Sequence, residues 1–246
     1  MSQVVYIMGS TRTGSTMLDL MLGSHPECFS MGELCLLQKR ECGYCGKSCR
    51  HWKEYRTKLV KPNYYTTAFT VFKKPVLIDS SKKWRWYKER KKEDVDIKII
   101  HLIRNGLDRL KTKKKLEGKI DPKTVMAWVN THSKCEEIRR KNGGILVKYE
   151  DLNKGALEQV CEYLGIRYDF RMKEFWKHEH HGLLGSKTAY SLVKSYHNKP
   201  DEHGEFAESH GFNIAPRLGH DFLDKRDLKI FKQHFGTRLN KRLGYE

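Results

Sequence analysis

No uninterrupted apolar stretch in the sequence approaches the roughly 18 residues a bilayer-spanning helix needs, so a transmembrane helix is excluded. No internal repeat and no clear inter-domain linker breaks its 246 residues, and one domain over 1–246 is expected, although the length alone allows two. Paired cysteines are wanting as well. The seven present are odd in number and irregularly spaced, which argues against a secreted disulfide framework and for mostly reduced thiols. No basic leader, long apolar segment or small-residue cleavage site precedes Val4–Met8, and a cytoplasmic location is expected. Acid is scarce: 30 Asp+Glu face 48 Lys+Arg, leaving a net charge of +18. That excess attracts anions such as nucleic acid, anionic surfaces or phosphate- and sulfate-bearing ligands, and charge alone does not choose among them.

With 38% hydrophobic and 32% charged residues, the chain is globular in composition. Short β-rich runs at Val4–Met8, Pro75–Asp79, Ile97–Ile103 and Gly144–Tyr149 alternate with helical stretches. The pattern predicts an α/β fold, a central parallel sheet flanked by helices in three layers. Helices are predicted over Gly14–Gly23, after Asp121-Pro122 with Val125, Met126, Trp128 and Val129 on the apolar side, over Lys154–Leu164, and over Lys225–Leu243. Residues 35–74 and 176–220 fit the alternation poorly and are read as loops or insertions, segments that in α/β enzymes serve as lids or acceptor-binding walls.

After the first strand comes Gly9-Ser10-Thr11-Arg12-Thr13-Gly14-Ser15-Thr16, the strand, loop and helix start that an anion cradle needs. Glycines let the backbone turn tightly, and the free N–H groups and dipole of the helix N-terminus favour negative charge. The glycine spacing is that of a P-loop, but Ser15 stands where the Walker A motif places Lys, which argues against a nucleoside triphosphate hydrolase. Arg12 offers a planar, permanent cation for an oxyanion instead. The plain alternative is a tight β-to-α turn with Ser and Thr as caps.

Arg12-Thr13-Gly14-Ser15-Thr16-Met17-Leu18, followed by Leu22-Gly23-Ser24-His25-Pro26-Glu27, resembles the opening of the sulfotransferase family, most closely its protein-tyrosine and bacterial branches. These use 3′-phosphoadenosine 5′-phosphosulfate (PAPS). The resemblance implies a P-loop-like fold in which Arg12, Thr13, Gly14, Ser15 and Thr16 grip the 5′-phosphosulfate. It also implies that Arg104, after the strand Ile97–Ile103, and Thr112, eight positions later at the family's Ser position, hold the 3′-phosphate. Asn105 and Leu107 depart from the Asp and the Pro or Arg frequent there. Leu77-Ile78-Asp79-Ser80-Ser81-Lys82 is similar to the segment that supplies a Lys near the sulfuryl group. The likeness is ordered over about residues 4–166 and weak from 167 to 230, and Arg238-Leu239 with Leu243-Gly244-Tyr245 is similar to the family's last helix. Leu183-Leu184-Gly185-Ser186 is only loosely similar to a family segment near the nucleotide, and no role is carried over to it.

Sulfuryl transfer needs a base for the acceptor hydroxyl and preorganised donors for charge building on the leaving phosphate. Arg12 and Lys82 are the candidate stabilisers, with Ser15 and Thr16 as further donors. Glu33, in Met31-Gly32-Glu33, lies downstream of Ser24–Glu27 as does the catalytic Glu of the tyrosine sulfotransferases that this stretch resembles, and it is the proposed base; its alternatives are an exposed acid or a salt-bridge partner for one of the many lysines. His25 is a rival base, although a His before Pro just beyond a helix more often packs or caps. Arg104 could instead pair with Asp108. The chemistry requires no metal.

Cys42, Cys45 and Cys49 with His51 form a C-x2-C-x3-C-x-H cluster that could close a zinc site, although free or redox-paired thiols are the favoured reading. Trp84–Lys92 and Lys111–Lys115 mix cations with aromatics or run basic, as nucleic-acid grooves do. They support a nucleic-acid-binding module without catalysis, which would leave the phosphate loop unexplained; their plain alternative is an amphipathic helix with lysines facing water. A second alternative from the loop itself, a P-loop small-molecule kinase, would want the Walker Lys. The same runs suit an anionic acceptor such as an acidic peptide or sugar, and the acceptor itself is not identified by the sequence.

Overall fold

The computed structural model describes residues 2–198 and 222–245. Among the described residues five strands, β1 (Gln3–Met8), β2 (Cys28–Gly32), β3 (Val76–Lys82), β4 (Asp96–Ile103) and β5 (Ile145–Lys148), pair in parallel in the order β2-β3-β1-β4-β5. Between and after them lie α1 (Ser15–Gly23), α2 (Arg50–Lys58), α3 (Tyr64–Phe72), α4 (Trp84–Arg90), α5 (Gly106–Glu117), α6 (Pro122–Lys141), α7 (Leu157–Leu164), α8 (Lys187–Tyr196), α9 (Lys225–Gln233) and α10 (Gly236–Arg242).

The three layers follow from side-chain alternation along β1. Val5 and Ile7 enter one core with Leu18 and Leu22 of α1 and Val160 of α7. Tyr6 and Met8 point the other way, into a cluster with Tyr87 of α4 and Cys135 and Ile138 of α6. A strand covered on both faces must be apolar throughout, and every residue of β1 is buried. A third cluster joins α5 and α6 to the C-terminal helices through Trp128, Phe231 and Leu239.

The predicted α/β architecture is the one observed, and the four anticipated strands are present. β2 was not anticipated, because Cys28-Phe29-Ser30-Met31-Gly32 is short and lacks a β-branched run. Residues 35–74, expected as a loop or insertion, contain α2 and α3. Of the second such segment, 176–220, α8 is seen, and positions 199–220 lie outside the described residues. Met126 is 47% exposed and does not share the apolar side of α6; the buried row is Val125, Trp128 and His132, spaced three and four apart. The helix expected from Lys154 begins at Leu157, because Gly155 has φ 105° and breaks the preceding turn. The single helix expected over Lys225–Leu243 is two: Phe235 adopts φ 63°, and Gly236 packs so tightly on Phe231 that a Cβ there would lie 2.4 Å from its ring.

That break lets α10 brace the start of α5. Buried Asn240 accepts from the Gly106 amide at 2.9 Å and donates to Asn105 Oδ1 at 3.3 Å, while Asn105 Oδ1 also caps the helix by accepting from the Leu107 amide at 2.9 Å. Asn240→Ala strands a buried amide donor, and urea unfolding is expected to show a loss of about 1–3 kcal/mol with an unchanged m-value.

Candidate functional site

Parallel pairing carries the C-terminal ends of β3, β1 and β4 to one edge of the sheet, with β1 in the middle. The loop after β1 starts at Gly9, where a Cβ would lie 2.6 Å from the Leu102 carbonyl oxygen, so only glycine permits this approach to β4. It ends at Gly14, which holds φ 88° at the N-cap of α1 and supplies no side-chain cap to the helix. Arg12 is exposed at the loop tip with φ 68°, a left-handed conformation uncommon for a residue with a Cβ. Thr13 is buried, and its hydroxyl donates to the Ser10 carbonyl at 2.8 Å, closing the loop on itself. Ser15 and Thr16, the first residues of α1, are buried.

The end of β3 is distorted where it meets the loop. Tyr6 pairs with Asp79 but Met8 pairs with Lys82, so β3 carries an extra residue there, and Lys82 takes φ 64°. Asp79 fixes this irregular end. Its buried carboxylate accepts from Tyr65 Oη at 2.8 Å, Trp86 Nε1 at 2.9 Å, the Ser81 amide at 2.8 Å and the Ser81 hydroxyl. Lys82 Nζ then lies 2.6 Å from Glu33 Oε1 and donates to the Ser80 carbonyl at 3.2 Å. The two charged side chains are 11% and 17% exposed, so they face each other largely out of water. Among the described residues, two of its three ammonium protons are thus engaged. Glu33 follows Gly32, itself held at φ 68° with a Leu183 oxygen 2.2 Å from where a Cβ would stand.

On the other side of β1, Arg104 leaves β4 and donates through Nη1 to the Arg12 carbonyl at 3.4 Å, with its guanidinium 4.9 Å from the Tyr149 ring centre. Asp108, the partner considered for it, pairs with Lys111 instead at 2.9 Å. Thr112 lies on α5 with its hydroxyl donating to the Asp108 carbonyl at 3.2 Å. The structure therefore brings the loop, Lys82, Glu33 and Arg104 to one edge, and keeps the Thr112 hydroxyl on its own helix. His25 is buried in a turn, where Nδ1 accepts from the Glu27 amide at 3.2 Å, a packing role rather than one at this edge.

Several contributors were not assigned roles from sequence. Gly185 and Ser186 line the start of α1: the Ser186 amide donates to Thr16 Oγ1 at 3.1 Å, and a Cβ on Gly185 would stand 2.5 Å from Thr16 Oγ1 and 3.5 Å from Glu33 Oε1. Arg109 donates to the Thr11 carbonyl at 3.3 Å. Beneath the loop runs a buried chain: Ser10 Oγ to His132 Nε2 at 3.0 Å, His132 Nδ1 to His101 Nε2 at 2.9 Å, and His101 Nδ1 to Glu136 Oε2 at 3.2 Å. Hydrogen bonds from Arg139 hold the Glu136 carboxyl well below the usual range, so Glu136 is an ionised acceptor. Burial lowers both histidines, keeping them neutral, and the chain then has one sense: His101 donates to Glu136, His132 to His101, and Ser10 to His132.

The basic runs are largely spoken for. Lys114 pairs with Asp224 at 2.9 Å and Asp227 at 2.5 Å, and Arg90 pairs with Glu93 at 3.0 Å. Arg85 and Lys88 sit 5.0 and 5.2 Å from the Trp84 ring centre, so that aromatic face already carries cations.

Residues 4–93 match the family model for the Sulfotransferase family. Among solved structures, the chain is similar to the sulfotransferase domain of the Synechococcus PCC 7002 olefin synthase, at 19% identity and TM-score 0.57, covering 97% of this chain and 94% of that one. It is also similar to the sulfotransferase domain from the curacin biosynthetic pathway, at 18% identity and TM-score 0.54, covering 100% and 99%. No curated protein matches the sequence. The family match takes in Arg12–Glu27 and Lys82 and ends before Arg104 and Thr112, while the solved structures share the fold. No helix among the described residues is long and apolar enough to cross a membrane.

The electrostatics beneath the site give a pH dependence. Burial raises the carboxyl of Asp19, on α1, from 3.8 to about 7, against the opposing hydrogen bond from Ser80 Oγ at 2.8 Å. The fold favours its protonated form, so its contribution to stability weakens as pH rises from about 4 to about 7. Asp19→Asn should therefore gain on the wild type with rising pH, by up to about 1.4 kcal/mol per pH unit in that window, and hold a constant difference above it. Paired urea titrations at several pH values measure this; a constant difference from pH 4 to 7 would contradict it.

Proposed function

We propose that this chain, sulfotransferase in fold and in its match over residues 4–93, moves the sulfuryl group of PAPS to a hydroxyl acceptor, with an amine the less favoured acceptor. The observation that carries the reading is the Lys82–Glu33 pair, 2.6 Å apart and beside Thr16 at the mouth of an uncapped helix. A cation and a carboxylate side by side at an anion cradle are what transfer to a hydroxyl asks of a protein.

The donor set suits a nucleotide with two anionic ends. Arg12, the amides opening α1 and the Ser15 and Thr16 hydroxyls would hold the 5′-phosphosulfate. Arg104, two strands from Lys82 and hydrogen-bonded to the Arg12 carbonyl, would take the 3′-phosphate, with Thr112 as its hydroxyl donor after rotation away from Asp108. Bound there, PAPS supplies an activated sulfuryl group. Glu33 accepts the proton of the acceptor hydroxyl once Lys82 releases it. Lys82 and Arg12 stabilise the negative charge developing on the departing phosphate, in a site whose flanking side chains are mostly dry. Asp79 acts through Lys82 as a positioning residue. No metal enters these steps. The wall made by Gly185 and Ser186 stands against Thr16 and close to Glu33, and it would face the acceptor.

Thermal unfolding with adenosine 3′,5′-bisphosphate, ATP or a single-stranded oligonucleotide in parallel tests this. Saturating bisphosphate, at about 100 times its Kd, should add about 2.7 kcal/mol of stability, and ATP should add little. A response to ATP alone would favour the kinase, and one to oligonucleotide alone the nucleic-acid module. Arg104→Ala should abolish most of the bisphosphate shift; a normal shift would sink the 3′-phosphate assignment. In a sulfuryl-transfer assay, Glu33→Gln should lose about 10²- to 10⁴-fold in rate while keeping the bisphosphate shift, whereas Arg12→Ala should impair both.

A further inference from the structure

Cys42, Cys45 and Cys49 meet an imidazole, but it is that of His181 rather than the neighbouring His51. His181 Nδ1 lies 3.9 Å from Cys42 Sγ, 3.2 Å from Cys45 Sγ and 3.8 Å from Cys49 Sγ, and no two of the four ligand atoms are more than 4.8 Å apart. With Zn–S near 2.3 Å and Zn–N near 2.0–2.1 Å, a tetrahedral ion separates sulfur from nitrogen by about 3.6 Å and sulfur from sulfur by about 3.8 Å. The side chains already stand close to those separations, and the widest pair has to close by about 1 Å.

The surroundings are those of a ligand set. Cys42 and Gly46 form a tight antiparallel bridge, Gly46 at φ 63° donates to the Cys42 carbonyl at 3.0 Å, and the Cys45 amide points at Cys42 Sγ from 3.4 Å. An amide N–H aimed at sulfur favours the thiolate. His181 comes from a segment 132 residues beyond Cys49, so local spacing does not explain its arrival. Trp52 Nε1 donates to its carbonyl oxygen, and Glu179 Oε2 lies 3.7 Å from its Nε2. A carboxylate near the far ring nitrogen favours the Nε2–H tautomer, which leaves Nδ1 free to ligate. Glu179 is itself held by Tyr44 Oη at 2.9 Å. No disulfide forms among the described residues, which include all seven cysteines.

We propose that Cys42, Cys45, Cys49 and His181 bind one structural zinc ion, a closed site of three thiolates and one imidazole with no position open for substrate. Soft sulfur donors in fourfold convergence select zinc over oxygen-seeking cations. The ion ties the 42–49 loop to the segment that starts at His181. That segment docks on β2, with the Leu183 amide donating to the Met31 carbonyl at 3.0 Å and the Leu184 amide to the Glu41 carbonyl at 2.9 Å, before Ser186 reaches Thr16. The metal thus fixes the wall beside Glu33 from outside the reaction site.

Elemental analysis of the full chain, purified under reducing conditions without chelator, should find one zinc per chain. Cobalt substitution should give thiolate-to-metal charge-transfer and tetrahedral ligand-field bands. His181→Ala should lose more zinc affinity than the roughly 10- to 100-fold typical of a supporting residue such as Glu179, and His51→Ala should keep the metal. Because Cys42 and Cys49 are buried and their variants could misfold, the wild-type stoichiometry and the two histidine variants decide the matter. Amides of 181–186 should exchange faster after zinc removal. Reduced protein that takes no zinc from a chromophoric chelator, a native disulfide among the three cysteines, or full zinc affinity in His181→Ala would each overturn the proposal. Zinc content is read without nucleotide, so either outcome leaves the transferase reading to its own test.

Discussion

The close contact between Lys82 and Glu33 is the interaction on which the arrangement of the site depends. Parallel strands send their carboxyl ends to one edge, and here that edge gathers Arg12, Lys82, Arg104 and Arg109. Like charges crowded in a partly dry place repel. The chain offsets this with acceptors of its own: Glu33 and the Ser80 carbonyl for Lys82, and the Arg12 and Thr11 carbonyls for the two arginines. On the proposed function, each is a contact that the bound nucleotide would replace. A nearby buried acid is treated differently, since Asp79 already accepts four donors and serves to hold the end of β3.

Rigidity of the loop comes from beneath as well as from its own turn. The chain from Glu136 through His101 and His132 to Ser10 orients each ring by the acceptor ahead of it, and the sense of the whole chain is set by one ionised carboxylate bound to Arg139. Ser10 therefore gives its proton to His132 beneath the loop. The loop backbone is held from two directions, by Thr13 along its own length and by His132 from α6.

Local signals made part of this legible in the sequence. β1 is apolar because both its faces are covered, and Gly9 and Gly14 mark the turn because a side chain at either would strike Leu102 or Tyr149. Arg12, Lys82 and Arg104 stand in motifs at the tips of anticipated strands, whereas Glu33 follows an unanticipated one and was singled out by family likeness alone. What escaped depends on contacts distant in sequence. Gly185 and Ser186 belong to a stretch with no regular period, and their place against Thr16 is set by packing. His181 replaces His51 among the cysteines for the same reason. Asn240 reaches α5 only because Phe235 turns left-handed, a conformation that no propensity forecasts for a phenylalanine.

The docking of 183 on Gly32 has a bearing on solubility. β2 is an outermost strand, and such a strand presents a row of unsatisfied backbone groups that can recruit another chain. The short parallel bridge between Gly32 and Leu183, with Cys42 paired on the far side of Leu183, lays a cover of backbone over the last part of that row. The strip that lies against Thr16 also covers the end of an edge strand, so a change that loosens it disturbs the candidate site and uncovers backbone donors and acceptors at once.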